Sequence, residues 1–378
     1  MLAMRTVSSF GASVLPSRSA PWHRAHDMRY TSLPVSDWAT PFWATGAVLF
    51  EVPGLERPAL CVTRLALAAG GCCFVVGFGY GSLRSFRQDA ASKAFVAAAG
   101  PPLPKRHTYI VRSVAVNSSG GVLASASVDG TRGTVCLWDV DLATGALTPS
   151  ALGGGGTLQH PGYVHAVAWS PTDEHLLATG CDDGRVRLFD VRAGAEAVAT
   201  MGKIGDGLNP ALCLAFDPSD GATIAAGYEE GQVARWDARA PHAAVGAPIQ
   251  AHDGRVCCMQ YSPCGRVLAT VGWNRMVKLW DATGPELVAL ADDAVLRVHT
   301  SMVSGLEFNP SDPSSLLSCS ADGTVRRWHL PECALGLPLR VDHRDQRACA
   351  VLEAERSKPR IFRSEERRVG KECLRLCR

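Results

Sequence analysis

Short runs of alternating apolar and polar residues fill the middle of this chain, separated by glycine, proline and acidic turns. One stretch shows the pattern cleanly: Val164–Trp169, Leu176–Gly180 and Arg185–Asp190 alternate, with Ser170-Pro171 and Asp182-Asp183-Gly184 between them and a fourth run at Ala197–Met201. A period of two with this punctuation predicts antiparallel strands rather than helices.

The pattern repeats. His160–Trp169 matches His252–Tyr261, His299–Phe308 and His107–Val116 position by position. Each unit ends in an aromatic residue, at Trp138, Phe189, Trp236, Trp280 and Trp328, so the successive spacings are 51, 47, 44 and 48. A weaker first copy runs through Val62–Leu67 and Cys73–Val76 to Phe86. Such a period means one small unit stacked many times, each covering its neighbour's apolar face. Four short strands per unit predict a propeller blade, hence an all-β propeller with six recognisable blades and an incomplete seventh.

The propeller is expected over residues 45–362, after a disordered or extraneous segment at 1–44. The seventh blade starts at Arg347–Glu353 and continues at Pro359–Phe362, with Gly46–Glu51 as its outer strand, so a poorly closed ring is expected. From Arg363 the pattern breaks. Residues 363–378 read as translated sequencing adaptor and are expected to be unstructured. The first 26 residues hold Arg5, Arg18 and Arg24 but no acid, which fits upstream sequence ahead of a start at Met28, or a transit peptide.

Inside the repeats, polar residues recur at fixed offsets. A hydroxyl precedes an acid or amide by four residues in Ser125/Asp129, Thr179/Asp183, Thr270/Asn274 and Ser318/Asp322. A histidine opens each of these copies, at His107, His160, His252 and His299, and Trp138, Trp280 and Trp328 close three of them. These types can form a hydrogen-bonded chain from histidine through acid and hydroxyl to the indole N–H. Phe189 lacks that N–H, so the third copy should lose the last link. The fourth copy departs entirely, with Gly207, Ala226 and Glu230 at the three positions, which leaves Glu230 solvated. With these sets in one phase, the chain resembles the WD40-repeat β-propeller family. The resemblance implies that these histidines, acids and tryptophans are scaffold and not a catalytic triad.

Composition narrows the function. The 38 basic and 36 acidic residues give +2, and 363–378 alone carries six basic and three acidic residues, so the remainder sits near −1. That balance argues against a general nucleic-acid or membrane-surface binder. Of the 14 cysteines most fall in predicted strands and none forms a C-x-x-C pair, which fits a reducing compartment, cytoplasm or nucleus, and gives no zinc site. No apolar run is long enough to span a membrane.

Phosphate-binding, zincin and serine-hydrolase motifs are missing. Gly77–Gly81 reads as a turn between strands, and Gly153–Gly156 as a flexible loop. No catalytic residue, metal or cofactor is expected. Function then lies in surfaces and in protein partners. The residue before the network acid projects on one rim in this family, which gives Asp182, Glu229 and Trp273, joined by the unpaired Glu230. Acids beside one indole suit a basic or arginine-containing peptide. On the opposite rim, Phe189-Asp190-Val191-Arg192 and Trp236-Asp237-Ala238-Arg239 are similar to the paired boxes of WD40 substrate receptors in cullin-RING ubiquitin ligases. That likeness implies that Asp190, Arg192, Asp237 and Arg239 dock a ligase adaptor. The leading expectation is a non-enzymatic interaction scaffold. A ligase substrate receptor and a subunit of an RNA- or chromatin-processing complex are the alternatives.

Overall fold

The computed structural model describes residues 59–67, 72–88, 95–97, 103–129, 132–205, 207–290, 295–296, 299–310, 312–322, 324–330 and 363–368. Among them lie six antiparallel sheets, one per repeat, set around a central channel as the blades of a propeller. The inner strands are Ala59–Ala66, Val111–Val116, Val164–Trp169, Ala211–Phe216, Val256–Tyr261 and Val303–Asn309. Each pairs with the next strand in sequence, and pairing proceeds outward strand by strand. In blades 2 and 5 the outer position is split, with Leu147–Pro149 and Thr157–His160 both on Gly133–Val140, and Val288–Ala289 and Val295–Leu296 both on Val277–Asp281.

The middle strands are buried on both sides, as strands sandwiched between blades must be. All six residues of Thr223–Tyr228 and of Val267–Gly272 are buried. The core lies between adjacent blades. Ala124, Val135 and Leu137 of blade 2 pack on Val164, Trp169 and Phe189 of blade 3, and Val271 and Leu279 of blade 5 pack on Leu306, Phe308 and Trp328 of blade 6. A blade alone would leave half of this surface wet, so stability is a property of the stack.

The seams set strict local requirements. Gly231 turns with φ +87° beneath the next blade, where an added Cβ would lie 2.0 Å from the His252 carbonyl oxygen. Gly81 does the same beneath His107, at 2.2 Å. Only glycine combines positive φ with so close an approach.

Two expectations need correction. Residues 363–368 are not unstructured: Arg363–Arg368 pairs along Thr324–His329 as the outer strand of blade 6. An open strand edge presents a row of N–H and C=O groups that any extended segment can satisfy, whatever its side chains. Gly153–Gly156 is a left-handed turn rather than a loose loop, with φ of 62°, 69°, 111° and 70°. Arg106 holds it, donating from Nη2 to the Gly155 carbonyl at 3.0 Å and from Nη1 to the Leu137 carbonyl at 3.1 Å. The expected strands at Gly46–Glu51, Arg347–Glu353 and Pro359–Phe362, the closure of the ring through them, and the segment 1–44 lie outside the described residues.

Candidate functional site

The polar sets converge where each histidine loop meets the turn between the second and third strands. In blade 2, His107 Nδ1 donates to Asp129 Oδ2 at 2.8 Å, its Nε2 lies 2.7 Å from Ser125 Oγ, and Trp138 Nε1 donates to the same oxygen at 2.9 Å. Blade 6 repeats this with His299, Asp322, Ser318 and Trp328 at 3.0, 2.8 and 2.8 Å. Blade 5 does so with His252, Asn274, Thr270 and Trp280 at 2.9, 2.9 and 3.0 Å.

The last member decides the charge. Burial is the largest single influence and would lower the His107 pKa, but the hydrogen bond to Asp129, joined by Cys136 and by the charge of Asp129, outweighs it and raises the pKa to about 9. Asp129 is held well below the carboxylate range: burial opposes this, and the bonds from His107 and Thr134 win. His252 faces an amide instead, and burial pulls it down to about 4. Asn274 Nδ2 is left buried without a partner. A carboxylate can accept from the loop backbone as well, as Asp129 does from Thr108 N–H at 2.6 Å, whereas the amide nitrogen cannot.

Blade 3 loses two links. His160 reaches Thr179 at 2.9 Å, but Asp183 turns away to pair with Arg187, and His160 Nδ1 is buried without a partner. Burial, and then the positive charge of Arg187, lowers His160 to about 4. Phe189 packs on the His160 ring, with centroids 5.2 Å apart. Blade 4 builds a different network, which the sequence reading missed. Trp236 Nε1 donates to Tyr228 Oη at 3.2 Å, and Asn209 accepts Glu230 N–H at 3.0 Å and donates to Gln232 at 2.9 Å. Tyr228 is two residues past Ala226 on the same strand face, so the alternation itself was the missed signal.

Of the rim residues Glu229 and Trp273 are brought together through Arg255, while Asp182 and Glu230 stand apart from them. Glu229 pairs with Arg255, whose guanidinium carbon sits 4.8 Å from the Trp273 ring centre. Asp182 accepts from His165 Nε2 at 3.1 Å. The Glu230 side chain is exposed. The chain's own Arg255 therefore fills the place between acid and indole that a basic peptide would take. On the opposite rim the two boxes fold identically. Arg192 donates to Asp190 at 3.0 and 2.8 Å, and Arg239 to Asp237 at 2.8 and 2.9 Å, each as a two-bond fork with the arginine exposed.

The family model described as WD domain, G-beta repeat matches residues 103–139, 155–190, 246–281 and 293–329. The chain carries WD40 repeats. Blades 2, 3, 5 and 6 fall within the matched segments, among them the two with the most complete His–Asp–Ser–Trp sets. The guanine nucleotide-binding protein subunit beta of Zea mays is 31% identical over 201 residues, 52% of this chain and 50% of that protein. The Nicotiana tabacum subunit is 32% identical over 184 residues, 48% and 46% of the two chains. Human striatin is 34% identical over 110 residues, 25% of this chain and 14% of that protein. The chain thus spans about half the length of the plant subunits it matches.

Proposed function

We propose that this WD40 propeller is a non-enzymatic scaffold that holds partner proteins on the rim formed by its histidine loops. One observation carries the reading. Large aromatic side chains stand exposed on that rim, with Tyr80 at 55%, Tyr109 at 47% and Trp273 at 45% exposure, and Tyr109 also lines the channel. Exposed aromatics that share one rim are the usual anchors of a protein interface, and one buried on binding contributes about 2 kcal/mol or more. The likeness to plant proteins named as subunits supports a place in an assembly.

A second reading, docking to a ubiquitin-ligase adaptor, draws on the identical forks of Asp190–Arg192 and Asp237–Arg239 on consecutive blades. Affinity purification with the full chain separates the two. Tyr109→Ala with Trp273→Ala should abolish partner recovery, while Arg192→Glu with Arg239→Glu leaves it intact. The reverse pattern would move the interface to the opposite rim.

A further inference from the structure

We propose that the channel mouth takes the carboxylate of an acidic residue from a partner peptide, with Arg112 as its anchor. This deepens the scaffold reading and rests on it. All six inner strands carry a β-bulge at their second residue, marked by register shifts at Ala59/Cys61, Val111/Ser113, Val164/Ala166, Ala211/Cys213, Val256/Cys258 and Val303/Gly305. A bulge re-aims the extra side chain. In blades 2 to 5 that residue is Arg112, His165, Leu212 and Cys257, all of which line a channel of about 1130 Å³. The polar pair, Arg112 and His165, falls on neighbouring blades.

Both acids near this pair are engaged. Asp182 accepts from His165 Nε2, and Glu229 holds Arg255. Two buried nitrogens lack a partner. His165, with a side chain only 8% exposed, has a buried Nδ1 without a hydrogen-bond partner, and so does Arg112 at Nε. Among the described residues Arg112 makes no ion pair. Burial, then repulsion from Arg255, pulls its pKa down to about 10, so it still carries its charge at neutral pH. A buried cation without an ion pair of its own at the wall of a channel is a cost to the free protein and a gain to any ligand that pairs with it.

The planar guanidinium fork suits a carboxylate, which it can hold through two parallel hydrogen bonds. A basic group would meet Arg112 and Arg255 together. A doubly charged phosphoryl group would meet Asp182 and Glu229, both close enough to act on Arg112 electrostatically. A singly charged carboxylate can pair with Arg112 and meets less repulsion from those two acids than a phosphoryl group does.

The probe is a displayed library of random 12-residue peptides selected on the full chain, followed by fluorescence anisotropy of the best binder. The selected peptides should share an acidic position. Changing that residue to Gln, or Arg112→Gln, should each weaken binding by about tenfold or more, and the two together little further. Arg112→Lys should retain part of the affinity, and phosphoserine at the acidic position should bind more weakly than Glu. Arg112→Gln should melt no lower than the parent, because it removes a buried charge that makes no ion pair, so a folding defect cannot imitate the loss. A selected set without an acidic position, or tight binding unchanged by Arg112→Gln, overturns the carboxylate anchor and leaves the scaffold standing. Enrichment of no peptide at all overturns both.

Discussion

Asn274→Asp should reverse the pH response of one buried histidine. His252 is 1% exposed and its pKa lies at about 4, below the ordinary 6.5, because burial favours its neutral form and Asn274 offers only a neutral acceptor. The unfolded chain therefore binds more protons than the folded one between those values, and stability falls as pH drops through this window. From about pH 8 to about pH 5 the loss at this site is ~2 kcal/mol. With a carboxylate at 274 the geometry becomes that of His107 and Asp129, where the histidine pKa is raised to about 9. A raised pKa contributes stability that is fully present below about 6.5 and is lost as pH rises through about 9, so the same acid step now gains ~2 kcal/mol. The substitution also removes the buried, unpartnered Asn274 Nδ2. Urea unfolding of parent and variant at the two pH values measures the double difference, in which unrelated groups cancel. A variant as acid-sensitive as the parent would refute the assignment of charge to the last member of each network.

Other substitutions test the seams and the alternative network. Tyr228→Phe leaves Trp236 Nε1 buried without its acceptor and should cost about 1–3 kcal/mol in urea unfolding, although it alters nothing at the surface. Gly231→Ala pushes a Cβ into the His252 carbonyl at positive φ and should lower the melting temperature far more than Gly205→Ala, where nothing lies within 4 Å. Arg235 is 4% exposed and donates from Nη1 to the Ala282 carbonyl at 3.0 Å, tying blade 4 to blade 5, so Arg235→Ala should destabilise by about 3 kcal/mol in the same assay.

The blades were legible because their code is local. Alternation of period two, the hydroxyl four residues before the acid, and the closing aromatic all lie within one repeat, so spacing alone displays them. What escaped was non-local or competitive. Glu229 and Arg255 are 26 residues apart, in different blades, and meet only because the ring brings one turn beside the next histidine loop. No window of sequence shows that Arg255 will cover Trp273. Asp183 fits the pattern by type and position, yet Arg187, directly across from Thr179 in the register, offers it a stronger charged partner than His160. Arg112 looked like any strand arginine, since a bulge becomes visible only when the register is known.

Amide hydrogen exchange of the full chain with and without a captured partner tests the central claim most directly. The account predicts slowed exchange at the histidine loops and at the turns carrying Tyr80 and Trp273, with the segments around Asp190–Arg192 and Asp237–Arg239 unchanged. Protection confined to those two segments, with the channel mouth exchanging as in the free protein, would contradict it.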